Sequence, residues 1–165
     1  MKKITFAFIF VLCSAIFASF TSCAAKPINI NLQDLSDYIG QKIDLTNYEK
    51  SDSDYIQTNY GIKPEDVNQI VVMKELDVLK YEVLIFAETA DETKAQEIAD
   101  NLAQIKTSYL NILKDYTANP DNAQEYAIVD NSKIWTDQNY VFWAINNQTA
   151  YIDTMIKDYI KNNNK

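Results

Sequence analysis

The chain contains no histidine and no arginine; all 15 of its basic residues are lysines. Without histidine it lacks the commonest general base and the commonest zinc ligand. Without arginine it lacks the planar fork that reads phosphate, and its formal net charge is −8, so nucleic acid is not an expected partner. Anionic lipid headgroups repel such a chain too, and any membrane attachment has to come from an anchor. There are two cysteines, Cys13 and Cys23, both within the first 25 residues. The rest of the chain has no thiol to cross-link and must hold by packing alone. With only two glycines, Gly40 and Gly61, there is no Gly-rich phosphate loop. A serine-centred nucleophile elbow and a cysteine nucleophile are missing as well. No internal repeat is visible.

What is present is ordinary globular material. Hydrophobic residues make up 47% and charged residues 23% of 165, enough for one domain with a core and too apolar for disorder. The N-terminus reads as an address. Met1-Lys2-Lys3 is a short basic head, Ile4 to Phe20 is a nearly continuous apolar run, and Thr21 to Ala25 are small. This is the three-part layout of a bacterial export signal. It is slightly short for a membrane span and lacks a basic stop signal. Phe20-Thr21-Ser22-Cys23 resembles the lipobox of bacterial lipoproteins, with Phe in place of the usual Leu. That resemblance implies cleavage before Cys23 and a diacylglyceryl thioether on its sulfur. Cleavage after Ala24 or Ala25 by the general signal peptidase is the rival reading. The lipobox is preferred because the cysteine sits where the apolar run gives out. One acyl chain anchors weakly at about 0.8 kcal/mol per buried methylene, but two or three together hold a protein essentially permanently. The expected divisions are a signal peptide over 1–22, a lipidated N-terminus and tether over 23–31, and a single domain over 32–165. Loss of a leader with Lys2 and Lys3 takes the net charge from −8 to −10.

After the tether, Leu32 to Ile43 has the spacing of a short helix. Asp44 to Ser53 is polar and turn-prone, and Asp52 or Ser53 can cap a second helix over Asp54 to Tyr60, ended by Gly61 in the left-handed position. Val67 to Leu76 and Tyr81 to Glu88 read as strands. Val83 to Ala87 is apolar at every position, which asks for cover on both faces. Asp91 to Tyr116 carries one apolar stripe at steps of three and four, with no Gly or Pro, and reads as a long helix started by Thr89 or Asp91. Thr117 to Gln124 reads as a loop. Glu125 to Asp130, Lys133 to Thr136 and Tyr140 to Ile145 read as a three-strand antiparallel meander. Asn146 or Asn147 then caps a final helix from Gln148 to about Lys161. The expectation is an α+β domain: a mainly antiparallel sheet in the order β-β-α-β-β-β-α, a long helix packed on it, and two short helices before it.

Several of these segments resemble an uncharacterised family, a domain of unknown function found in bacterial surface lipoproteins. They are Tyr60-Gly61-Ile62-Lys63-Pro64-Glu65-Asp66-Val67, Glu82-Val83-Leu84-Ile85-Phe86, Ser108-Tyr109, Asp115-Tyr116 and Asn139-Tyr140-Val141-Phe142. The resemblance runs from about Leu35 to Lys161. It implies a location and a fold and transfers no catalytic residue. Members usually carry a glycine in the turn before the last strand, where this chain has Gln138-Asn139.

Carboxylates are the one plentiful reactive group. The densest sets, Asp52/Asp54, Glu65-Asp66 and Asp91-Glu92, sit at turns and helix starts, where capping accounts for them. Asp52-Ser53-Asp54 has the first spacing of a calcium loop without its later glycine and glutamate. No metal-ligating, cofactor-binding or catalytic residue is assigned. Aromatics are in surplus, with 11 Tyr, 7 Phe and 2 Trp. If Trp143 faces the long helix, Tyr140 and Phe142 face the other way. With Trp135 they could form a platform for a sugar or a partner; the competing and favoured reading is that helices cover both faces. Three functional readings follow. The chain is expected to be a lipid-anchored module at the cell membrane or surface that binds an envelope protein or glycan without transforming it. Its rivals are an envelope hydrolase using carboxylates alone and a secreted protein without lipid.

Overall fold

The computed structural model describes residues 26–116 and 119–164. The leader and Cys23 lie outside the described residues. In chain order the elements are α1 (Leu32–Gly40), β1 (Tyr48–Lys50), α2 (Ser53–Tyr60), a 3-10 turn (Pro64–Asp66), β2 (Val67–Glu75), β3 (Val83–Thr89), α3 (Glu92–Lys114), α4 (Pro120–Asp130), β4 (Lys133–Asp137), β5 (Tyr140–Ile145) and α5 (Thr149–Asn163).

The five strands form one antiparallel sheet in the order β1-β2-β3-β5-β4. β3 is central, and residues 83–87 are all buried, as their uninterrupted apolar run requires. Alternation divides them between two cores. Val83, Ile85 and Ala87 join Val141 and Trp143 under α2, α3 and α4. Leu84 and Phe86 join Tyr140, Phe142 and Ala144 under α1 and α5. The sheet is thus the middle of three layers, and the α+β architecture with a long helix on the sheet is as expected.

The long helix starts where its sequence provides a cap: the Asp91 carboxylate accepts from the Lys94 N–H at 2.9 Å. Ala95, Ile98, Ala99, Leu102 and Leu113 are its buried face, while Ile112 and Tyr116, expected on the same stripe, are exposed. Asp52 caps α2, and Gly61 ends it at φ 64°, in the left-handed region where glycine has no Cβ to clash. Asn101 of α3 donates to the Tyr60 carbonyl at 2.6 Å and fastens this corner to the long helix.

Three expectations are corrected. Residues 125–130 are not a strand but the second half of α4. Asn119 accepts from the Asp121 N–H at 3.0 Å, Pro120 occupies the first helical turn and Asp121 favours the positive helix end. Those signals for a helix start outweigh the β-branched Ile128 and Val129, so the meander is only the β4–β5 hairpin. The fifth strand is instead β1, three residues from the segment expected as turn, with Tyr48 opposite Glu75 and Lys50 opposite Met73. Finally, residues 26–31 are not a free tether. Ile28 and Ile30 are buried in the second core, and Gln138 holds the segment by accepting from the Ile28 N–H and donating to the Lys26 carbonyl, both at 2.8 Å. Ile-Asn-Ile is a short alternating pattern, and its isoleucines point inward from an extended chain.

Candidate functional site

At one end of the sheet, β1 begins, the loop before β3 ends and β5 runs into α5. Tyr48, Glu82 and Asn146 meet there. The Tyr48 hydroxyl donates to the Glu82 carboxylate at 2.6 Å, and Asn146 Nδ2 donates to both the Tyr48 oxygen and Glu82 Oε2 at 2.8 Å. Both Asn146 amide protons are therefore used. The β5–α5 turn fixes its position: Asn146 Oδ1 accepts from the Gln148 N–H at 2.8 Å, and the Thr149 hydroxyl donates to the Asn146 carbonyl at 2.7 Å. Burial, with the Glu82 carboxylate that it donates to, pushes the Tyr48 pKa up, so the phenol stays protonated.

Two open cavities flank this triad and share Glu82 and Asn147 as a wall. One, of about 190 Å³, lies toward Asp44, Asn47, Glu75 and Gln148. The other, of about 390 Å³, runs toward Lys80, Asn122 and Glu125. Glu125 is buried, and its carboxylate accepts from the Tyr81 N–H at 3.3 Å. Burial pushes its pKa up and the charge of Glu82 adds to that, against the opposing effect of the Tyr81 hydrogen bond. The site thus pairs a carboxylate tied by two donors with a second carboxyl biased toward its neutral form. Carboxylates and amides line it, with Lys80 as a nearby cation. Such a lining offers hydrogen bonds to hydroxyl-rich or cationic groups and repels anions.

Spacing did not single out Glu82 or Glu125. They are far apart in sequence, and Glu125 falls in the segment misread as a strand. The pairs that were singled out serve the fold: Asp52 and Asp91 cap helices, and Asp66 lies 3.5 Å from the Lys94 ammonium. Among the described residues no group of three or more Cys, Asp or Glu side chains could hold a metal ion.

The aromatic platform is corrected. Trp143 does face the long helix, and Tyr140 and Phe142 do face the other way, but both are fully buried beneath α1, α5 and the N-terminal segment. The three rings are contiguous: Trp135 stacks on Phe142 at 5.3 Å and Tyr140 on Phe142 at 6.2 Å between centroids. Of the three, Trp135 alone is partly exposed. The stack is core, and these three residues form no exposed aromatic face.

Neither the curated proteins nor the solved structures compared with this chain match it. A family model does, over residues 41–146, which begins just after α1 and takes in all five strands and all four side chains of the candidate site. The match covers well over half of the chain, and the chain belongs to the family described as Domain of unknown function (DUF4358).

Proposed function

We propose that this protein is a lipid-anchored binding module of the cell envelope, fixed to a membrane through Cys23, whose Tyr48–Glu82–Asn146 end holds a hydroxyl-rich envelope glycan. One observation carries the binding reading: Glu82 already accepts from two donors, Tyr48 and Asn146, at 2.6 and 2.8 Å. A carboxylate so tied is pre-organised as an acceptor and has little freedom to move a proton. The leader and the Phe20-Thr21-Ser22-Cys23 sequence support the anchor. Among the described residues no helix is long and apolar enough to cross a membrane. Titration of the purified full chain with solubilised peptidoglycan fragments tests the binding half. Binding that weakens on Glu82→Ala and survives at a control surface lysine supports it; equal binding by both variants removes it. Mass spectrometry of the mature N-terminus tests the anchor, which an unmodified cysteine would rule out.

A second reading is an envelope hydrolase, and one observation favours it. Glu82 and Glu125 line the same cavity, and the burial of Glu125 biases it toward the protonated form expected of a general acid. It predicts turnover of the same fragments that disappears in Glu125→Gln while binding remains.

A further inference from the structure

β4 is the outermost strand on its side of the sheet. The Thr89 N–H donates to the Asn139 carbonyl at 2.8 Å, so Glu88 and Tyr140 form a non-hydrogen-bonded pair between β3 and β5. The backbone groups of Tyr140 then point toward β4. Alternation along the β4–β5 ladder leaves Ile134 and Thr136 as the β4 residues whose N–H and C=O point outward. Neither has a backbone or side-chain hydrogen-bond partner among the described residues.

This edge is recessed rather than flat. A cavity of about 500 Å³ lies along it, with Lys106 of α3 on one wall, Asp153 and Lys157 of α5 on the other, and Lys133, Ile134 and Trp135 of β4 at its floor. The Lys106 ammonium is fixed by donating to the carbonyls of Asp130 and Ser132, at 2.9 and 2.7 Å. Lys133 and Lys157 both reach Asp153, at 3.4 and 2.9 Å. Three cations and one carboxylate line the groove, with the Asp130 charge acting on Lys106 beside it, in a chain whose net charge is −8. Charges beyond roughly 8–10 Å are screened at physiological salt, so a ligand in the groove senses the local positive excess.

We propose that the open edge of β4 takes an extended acidic peptide segment of a partner protein as a sixth strand. Main-chain hydrogen bonds to Ile134 and Thr136 supply the pairing, and the lysines select acidic side chains over others. The partly exposed Trp135 offers an apolar surface to a residue between them. Charge argues against a second copy of this chain, because pairing two such edges would bring their lysines together. This site is separate from the Glu82 cavity and does not depend on its ligand.

The test uses the purified full chain and two short probe peptides, one alternating glutamate with valine and one alternating lysine with valine. Binding is read from the fluorescence of Trp135, with Trp143 buried and constant. Thr136→Pro removes an outward N–H while leaving the β5 ladder in place. Lys157→Glu reverses one cation and leaves Lys133 on Asp153. Each variant should bind the glutamate peptide about tenfold more weakly, the loss that follows from one missing hydrogen bond or ion pair. The lysine peptide should not bind, and salt should weaken the glutamate peptide. Circular dichroism confirms that both variants remain folded, and if one does not, the other still decides. Equal binding of both peptides, absence of binding at millimolar peptide, or unchanged affinity in a folded Thr136→Pro would overturn the proposal. So would a dimer in sedimentation velocity that Thr136→Pro dissociates, since the edge would then belong to a second copy.

Discussion

Phe142 stands between Phe86, Tyr140 and Trp135, with ring centroids at 6.1, 6.2 and 5.3 Å, and has no exposed surface. Truncation leaves a cavity on that face of the sheet, so Phe142→Ala should cost about 3–5 kcal/mol in chemical denaturation. A loss below about 1 kcal/mol would put the ring outside the core. The sequence raised both fates for this residue, because alternation assigns a face and does not say what covers it. Glu125 yields a pH prediction. Its folded pKa is raised above the ordinary value of 4.5, chiefly by burial, so the native state binds its proton more tightly than the unfolded chain does. Stability from this group is therefore present below that value and is lost as pH rises through the folded pKa. Thermal melts of Glu125→Gln against the parent between acid and neutral pH should show the parent losing ground as pH rises. Parallel curves across that range would mean that Glu125 titrates as an exposed glutamate. No spacing in the sequence marked Glu125, since its burial depends on α4 being a helix.

At the scale of elements, the legible ones were those with strong local signals. α3 has a cap, a long apolar stripe and no breaker, and β3 has an unbroken apolar run; both formed where expected. α4 is not legible from spacing because Tyr126, Ile128 and Val129 carry β propensity, while Asn119-Pro120-Asp121 lies in the stretch that reads as a loop. The same three residues are a helix start. Asn119→Ala should therefore lower stability by about 1 kcal/mol, with amide exchange rising first at Asp121 and its neighbours. Protection unchanged in that first turn would show that packing of Ile128 and Val129 holds α4 without its cap. β1 was illegible for a different reason. Three residues with no apolar pattern become a strand only because the edge of β2 is there to pair with.

For the molecule as a whole, the N-terminal segment is the part whose role depends most on tertiary contacts. Gln138 is the one non-glycine described residue with positive φ, at 53°, in the turn between β4 and β5. A left-handed residue costs about 1–2 kcal/mol, and the two hydrogen bonds from its side chain to residues 26 and 28 return about the same. Gln138→Gly should leave the melting temperature within a few degrees while releasing residues 26–30, seen as faster amide exchange at Ile28. Unchanged exchange there would assign the segment's hold to Ile28 and Ile30 alone. By itself the sequence determined the elements that carry their own start signals and periodicity, the two-sided cover of the central strand, and the absence of histidine, arginine and body thiols from any chemistry. Only the tertiary structure decided that Tyr140 and Phe142 are hidden, that Glu82 meets Tyr48 and Asn146 and shares a cavity with Glu125, and that β4 has a recessed edge. Those facts join residues from separate elements, and periodicity acts along one element at a time, whereas burial and pairing depend on which elements arrive beside it.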